Sequence, residues 1–554
     1  MIHHVEAQVL ILLLIASLVG IGARRMRVPY TLALVVAGLV LGFVHLEALH
    51  GLELDKDLLL LLFLPALLFE AALHIHLREF RRELVPILVL AVPGGLLAVG
   101  ATAGLLWLGV AATGLEPRFG WVEAAIFAAV ISATDPVSVL ALFKELGVPR
   151  RLYLLVEGES LLNDGVAVVV FVILTAAFGL GGGEALGSGG EIVAFGLRTF
   201  IWMVGMGVLV GLAVGGAVSA LTRQIDDHLI KVTLTTLVAY GSFLLAEQIH
   251  ASGVLSTVTA GIVMGSFGRR YGMSVSTRIA MEDFWEYMAF LANSFVFLLV
   301  GLQLEPGELL REAPTIVLAF LAVLAARALT VYLAVPLAGR YSTSIPLSWR
   351  HVLVWGGLRG SLSMVLALSL PVTMEGRGLL VNMVFGVVAA SLFLQGLTVG
   401  PLLARMGISG RREDRGAYEL ARLRALAARD ARTALDGLRS HLDPPAFTRL
   451  ASWYDDRARQ AEAEAASKAG ESVVDEQLVE GLQSLLDVER ETVRHAVAAG
   501  LVSADVGEEM GVELDHRSEA LEHAHRGHDE RRAALSGLLG GPNPEEPTKG
   551  PASG

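Results

Sequence analysis

The apolar pattern changes abruptly near residue 405. Before that point thirteen apolar segments lie at about 7–23, 29–45, 58–76, 84–110, 121–143, 152–178, 192–220, 229–249, 253–267, 280–304, 314–339, 350–372 and 378–405. A bilayer-crossing helix needs about 20 residues, and these segments reach or approach that length. After that point, charges are spread through Ala/Leu-rich helical patterns at roughly 410–440, 445–469, 471–500 and 503–535. Leu478, Leu482, Leu485 and Leu486 form one apolar stripe there. The last stretch, Gly540 to Gly554, carries Pro542, Pro544, Pro547 and Pro551 and is predicted to be disordered. The pattern predicts an all-α polytopic membrane protein with thirteen transmembrane helices over 1–405, a mainly helical soluble domain over 406–540, and a disordered end at 541–554.

Charge sharpens this division. The first 405 residues hold 24 Lys/Arg and 27 Asp/Glu, whereas the last 149 hold 19 and 28. Charge density is thus roughly 13% and then roughly 32%, against about 25% in ordinary soluble domains. The loops alternate as well. Sixteen Lys/Arg lie in or beside the odd-numbered loops, among them Arg78, Arg81 and Arg82, against five in or beside the even-numbered loops. The positive-inside rule then places the N-terminus outside and the tail in the cytoplasm, in a multi-pass protein of the plasma (inner) membrane. The short segment 253–267 is needed to keep the alternation. The first apolar run has Arg24, Arg25 and Arg27 after it rather than before it, which predicts a retained helix instead of a cleaved signal.

Several functions are disfavoured at this stage. With no cysteine, disulfide scaffolds, Cys-ligated metal sites and thiol catalysis are excluded. A net charge of −12 argues against nucleic acid as a partner. No phosphate-cradling loop follows a predicted strand, so no nucleotide is expected. No cofactor is expected either.

Two segments are interrupted. The fifth contains Thr134-Asp135-Pro136-Val137, in which Pro136 lacks an N–H and pushes Asp135 out of the α region. The twelfth contains Gly356-Gly357-Leu358-Arg359-Gly360. Irregular backbone at membrane depth survives only where protein or water satisfies it. If segments 1–6 and 8–13 are repeats joined by the seventh, the two breaks occupy equivalent places. Paired broken helices point to the binding site of a secondary transporter.

Charged groups inside spanning segments are costly and mark ion paths. Here they are Glu70, Asp135, Glu157, Glu159, Asp164, Arg327 and Arg359. Ser160 and Asp164 are four residues apart and share a helix face, offering oxygen ligands to a hard monovalent cation. Ionisation of a carboxyl is disfavoured away from water, so an acid at this depth can trade a proton for a cation. Asp164 is the foremost candidate for a site holding either H⁺ or a cation, not both. Asp135 and the freed carbonyl of Thr134 can add ligands at the break, and Glu70 a more distant carboxylate. Arg327 keeps its charge and needs a buried anion, for which Glu159 is chosen. Arg359, among helix-breaking glycines, can face freed carbonyls and balance Asp135. His74 and His76, at the predicted cytoplasmic end of the third segment, titrate near neutral pH and are candidates for pH modulation.

Thr134-Asp135-Pro136-Val137, Gly158-Glu159-Ser160-Leu161-Leu162-Asn163-Asp164, Ala326-Arg327-Ala328-Leu329 and Gly356-Gly357-Leu358-Arg359-Gly360, in this order, resemble the monovalent cation:proton antiporter-1 family. That family includes NhaP-type bacterial antiporters and the animal sodium/proton exchangers. The resemblance covers about residues 5–405. It implies an NhaA-like fold with inverted repeats and two broken, crossing helices. It also implies a homodimer, with segments 1–3 and 7–10 forming the dimerisation domain and segments 4–6 and 11–13 the core transport domain. Asp164 would bind the ion and the proton, with Asp135, Thr134, Ser160 and Glu70 around it. Glu159 and Arg327 would form a structural ion pair with Asn163 beside it. Asn163 preceding a single Asp implies electroneutral exchange of one Na⁺ for one H⁺ by alternating access, with K⁺ or Li⁺ as the alternative cation, serving pH and Na⁺ homeostasis.

The tail resembles that of some bacterial members less specifically and implies a dimerising or regulatory domain. His516, His523, His525 and His528 read there as a solvated helix end. Two rival readings remain. An intramembrane protease would use the Gly-x-Ser core at Gly158-Glu159-Ser160, but it lacks a membrane histidine base and would leave Asp164 and Asp135 without a role. A gated cation channel or pH sensor is the second rival, which single-channel currents or saturable transport lacking proton coupling would favour.

Overall fold

A computed structural model of the chain describes residues 2–26, 29–44, 59–180, 186, 189–225, 227–268, 275–304, 306–339, 345–408, 411–439, 442–468 and scattered positions between 478 and 517. The chain falls into two compact units, Met1–Ser409 and Gly410–Gly554. The histidines at 516, 523, 525 and 528 and the proline-rich end lie outside the described residues.

Helices are the regular elements of the first unit among its described residues. In chain order its helices are α1 (Ile2–Met26), α2 (Tyr30–Val44), α3 (Leu60–Leu73), α4 (Leu84–Thr113), α5a (Trp121–Ile131), α5b (Val137–Leu146), α6 (Arg150–Ala177), α7 (Gly189–Leu221), α8 (His228–Gln248), α9 (Gly253–Phe267), α10 (Val275–Gln303), α11 (Ala313–Ala338), α12a (Leu347–Trp355), α12b (Ser361–Leu368) and α13 (Arg377–Arg405). Six-residue helices at Leu77–Arg82 and Pro306–Arg311 serve as connectors. Among the described residues, eight helices are long and apolar enough to cross a membrane: those in α1, α4, α6, α7, α8, α10, α11 and α13. Four shorter apolar helices lie in α2, α3, α5a and α9.

Local chemistry explains most boundaries. The Asp227 carboxylate accepts hydrogen bonds from the N–H groups of Leu229 at 2.8 Å and Ile230 at 3.1 Å, capping α8. Those bonds hold its carboxyl below the usual carboxylate range. Ser252 caps α9 by accepting from Leu255 N–H. Gly147, at φ 66°, ends α5b in the left-handed conformation, and Pro149 directly precedes α6. The chain thus turns from the fifth segment into the sixth within three residues. Pro93 lies in a π turn at Leu90–Gly94 inside α4, where a proline cannot donate to the helical ladder.

Packing relies on small residues, as expected where lipid offers helices no hydrophobic drive to associate. α2 runs along α10. Gly38 faces the Leu298 carbonyl and Gly301 faces the Val35 carbonyl, so closely that a Cβ on either glycine would run into backbone. On α7, Gly207, Gly211 and Gly215 repeat every fourth residue and lie against Ser252, Ser256 and Ala260 of the α9 region.

In the second unit, α14 (Arg411–Gly437) and α15 (Pro444–Lys468) form an antiparallel hairpin. Ala421, Ala425 and Ala428 of α14 and Ala451, Ala458 and Ala461 of α15 are buried. Arg429–Glu462 at 2.5 Å and Arg432–Asp455 at 3.4 Å span the two helices. The Arg429–Glu462 pair is largely exposed and contributes about 0–1 kcal/mol, whereas Arg432 is half-buried.

Gly301→Ala is expected to destabilise by about 1–3 kcal/mol, the usual cost of overpacking. Gly100→Ala, on α4 with open space at its Cβ, is expected to be neutral or to stabilise slightly. Thermal unfolding of the two variants in detergent checks this. A Gly301→Ala melting temperature equal to wild type would contradict the close α2–α10 approach.

Candidate ion-binding site

The two interrupted segments meet at their breaks. The backbone N–H of Asp135 donates to the Leu358 carbonyl at 2.9 Å. Gly360 lies against Asp135 so closely that a Cβ there would collide with the Asp135 side chain, which is why glycine is required at that point. Arg359 Nη1 donates to the Ser132 carbonyl at 2.8 Å and contacts that of Ala133 at 3.4 Å. These carbonyls follow the end of α5a, where no further helical turn can use them. The Arg359 N–H in turn donates to Ser391 Oγ at 3.2 Å, in the π turn Ser391–Gln395 of α13.

α6 supplies the other half of the site. Thr134 N–H donates to Asp164 Oδ1 at 3.2 Å. Ser160 Oγ donates to the Thr134 carbonyl, and the Thr134 hydroxyl lies 3.2 Å from Ser160 Oγ. Asn163 Nδ2 donates to the Ser132 carbonyl at 2.7 Å and lies 3.3 Å from Thr134 Oγ1. Asp135 Oδ1 accepts from the Val137 N–H at 2.9 Å at the start of α5b.

A second cluster lies one helix face away. Arg327 of α11 meets Glu159 through two parallel bonds, Nη1–Oε1 and Nη2–Oε2, both 2.8 Å. Its Nε donates to the Leu353 carbonyl at 3.2 Å. Both side chains are buried. A bidentate geometry with the remaining donor satisfied is what a sealed ion pair requires.

Thr134, Asp135, Ser160 and Asp164 line a cavity of about 420 Å³. Glu70 and His74 of α3, Lys144 of α5b, Tyr153 and Glu157 of α6 and Glu286 of α10 line it as well. Asp135 and Asp164 are only partly buried because they face this space, whereas Glu159, Arg327 and Arg359 are sealed. The arrangement offers carboxylate, hydroxyl and carbonyl oxygens around one water-accessible volume, the donor set a hard monovalent cation prefers.

A model of the transmembrane sodium/hydrogen exchanger family matches residues 10–405. The chain belongs to that family. It is 39% identical over 436 residues to the Na⁺/H⁺ antiporter ApNhaP of Aphanothece halophytica, covering 78% of this chain and 79% of that protein. It is 34% identical over 525 residues to the Na⁺/H⁺ antiporter NhaS2 of Synechocystis, covering 93% of each chain, so that likeness extends into the tail. Its fold is similar to that of the sodium proton antiporter MjNhaP1 of Methanocaldococcus jannaschii, with a TM-score of 0.58 at 18% identity over 73% of this chain and 99% of that one.

In this exchanger the residues singled out from the sequence fall into three places. Asp164, Asp135, Thr134 and Ser160 come together in the cavity lining, which Glu70 shares. Glu159 and Arg327 form the sealed pair. His74 lines the cavity and its Nδ1 lies 2.9 Å from the Glu70 carbonyl, whereas His76 is exposed at the start of the connector Leu77–Arg82. Arg359 donates to the Ser132 and Ala133 carbonyls of the fifth segment's break. Asn163 ties down the same break through the Ser132 carbonyl and Thr134 Oγ1. Sequence reasoning overlooked Lys144, Tyr153, Glu286 and Asn293 in the cavity wall. Each lies in a different local context, and only the fold brings them together.

Glu159→Ala leaves Arg327 charged and buried, so a loss of about 3–5 kcal/mol of stability is expected. It should appear as a lower melting temperature and a smaller monodisperse fraction in detergent. A variant with wild-type stability but no exchange would show instead that Glu159 belongs to the ion path.

Proposed function

We infer that this exchanger is a secondary sodium/proton antiporter in which Asp164 holds either Na⁺ or H⁺. The observation that carries the reading is that Asp164 lines the cavity. One of its oxygens is fixed by the Thr134 N–H, and Ser160, Thr134 and Asp135 supply oxygens beside it. The chain is a transporter and its driving force is the Na⁺ or H⁺ gradient.

The charge count supports one-for-one exchange. Glu159, Asp135 and Asp164, taken as ionised, sit with Arg327 and Arg359 around the two breaks. Three acids and two arginines leave this cluster with a net charge of −1. One Na⁺, or one H⁺ on Asp164, brings it to zero. A neutral cluster can cross a low-dielectric barrier, and the unoccupied one cannot do so cheaply. Asn163 fits this count, since its amide is a donor to the Ser132 carbonyl, a bond that an ionised Asp could not make.

On this reading thirteen helices cross the membrane in an NhaA-like arrangement of two inverted repeats, with the N-terminus outside and the tail in the cytoplasm, in the inner (plasma) membrane. Lys144, His74 and Tyr153 at the cavity mouth then lie at the cytoplasmic ends of α5b, α3 and α6, so the cavity faces inward. Alternating access follows from rigid movement of the α4–α6 and α11–α13 core against a dimerisation domain of α1–α3 and α7–α10 in a homodimer. His74 is the better placed of the two histidines for pH modulation. The exchanger serves pH and Na⁺ homeostasis, and K⁺ or Li⁺ is the alternative cargo.

Asp164→Asn is expected to abolish the Na⁺-driven pH change in proteoliposomes carrying a pH dye, while the protein stays folded. Exchange at more than a tenth of the wild-type rate would sink the assignment. The same assay with Na⁺, Li⁺ and K⁺ in turn reads the cation choice.

A further inference from the structure

Glu157 lies in the cavity wall outside the cluster just described. It is only 3% exposed. Its Oε1 accepts a long hydrogen bond of 3.4 Å from the Tyr153 hydroxyl, and its Oε2 is buried without any hydrogen-bond partner. A buried carboxylate oxygen with no partner is costly. Such a group is explained when something that enters the cavity completes it.

Its position on α6 is informative. Tyr153, Glu157, Ser160, Leu161 and Asp164 all line the cavity. Their spacing of four, three, one and three residues keeps them on one helix face. Glu157 and Asp164 are seven residues apart, which is about 10 Å along the helix axis. A cation moving along this face from the mouth meets the Glu157 carboxyl before it meets Asp164. The charged and titratable groups around Glu157 are Tyr153 and Arg150 on α6, Glu70 and His74 on α3, Lys144 on α5b and Glu286 on α10. Arg150 is engaged by Glu79, with Nε–Oε2 at 3.1 Å, and sits over the Tyr153 ring at 5.2 Å.

We propose that Glu157 is a second cation station, where a monovalent cation pauses two helical turns before Asp164. The ion takes the unpartnered Oε2 as a ligand, keeps part of its hydration shell in the cavity, and passes along the α6 face to Ser160 and Asp164. The proposal rests on the reading of Asp164 as the transport acid.

The test uses inverted membrane vesicles of the full chain, whose exposed face is the cytoplasmic one, with Na⁺ added outside. Glu157→Gln keeps the side-chain volume and an acceptor for Tyr153 but removes the charge. The expected result is an apparent KM for Na⁺ raised at least threefold, with exchange retained at saturating Na⁺. Glu157→Asp should recover part of that rise, and Tyr153→Phe should give a smaller rise than Glu157→Gln. An unchanged KM in Glu157→Gln overturns the proposal. So does a Tyr153→Phe variant that reproduces the full effect, since the carboxyl would then be only a hydrogen-bond acceptor. Loss of exchange at every Na⁺ concentration in folded Glu157→Gln also overturns it, because Glu157 would then belong to the primary site.

A second measurement does not depend on that variant folding. Dicyclohexylcarbodiimide labelling followed by mass spectrometry should modify Glu157 in the wild-type chain, and Na⁺ should protect it both there and in Asp164→Asn. Labelling that Na⁺ leaves unaltered overturns the station. Exchange surviving in Asp164→Asn is a different failure, that of the underlying assignment, and it is read in a different variant.

Discussion

The membrane unit depends on one constraint: two helices stop in the middle of an apolar layer, and the backbone groups they release must be satisfied by protein. Every polar contact near the breaks answers to it. Arg359 takes the Ser132 and Ala133 carbonyls, Asn163 also takes Ser132, and Ser160 takes Thr134. The Asp135 N–H reaches across to Leu358. In hydrocarbon each unmade bond would cost several kcal/mol, so the two breaks hold each other in register. The same arrangement leaves the Thr134 N–H for Asp164, and this is how a structural requirement becomes a place for an ion.

The site separates charges by solvent access. Glu159 and Arg327 are sealed and paired, so neither is available to a transported ion. Asp135 and Asp164 face the cavity, so their charge can be answered by cargo. Had the two roles been exchanged, the protein would carry an unpaired charge in its core and a neutral pair in its ion path. Neighbouring positions on one helix achieve the separation, because Glu159 and Ser160 point about 100° apart.

Much of this was legible in the sequence because membrane insertion leaves few choices. Apolar runs locate the helices, and Pro136 and the glycines at 356, 357 and 360 locate the interruptions. Arg327 must meet a buried acid. Ser160 and Asp164 share a face whatever else surrounds them. Other features were not legible. Arg359 lies on carbonyls of a segment more than two hundred residues away, and nothing local to Gly356-Gly357-Leu358-Arg359-Gly360 names that partner. Asn163 adjoins Asp164 in sequence, yet its amide reaches the Ser132 carbonyl at the fifth segment's break. Glu286 enters the cavity wall from α10, a helix distant in the chain. The sequence also presents Glu157 as one more acid in a cluster, with no sign that one of its oxygens lacks a partner.

By itself, the sequence determined the division into an apolar unit and a charged tail, the positions of the breaks and the groups that carry charge at membrane depth. These are properties of single helices, set by hydropathy, 3.6-residue periodicity and the missing proline N–H. Only the tertiary structure decided which freed carbonyl each donor takes, which acids face the cavity and which are sealed, and that Glu157 and Asp164 open onto one cavity. Those outcomes depend on contacts between helices far apart in the chain, such as the approach of α2 to α10 at Gly38 and Gly301. Local pattern carries no record of such distances, because the partners that set them are chosen only when the helices pack.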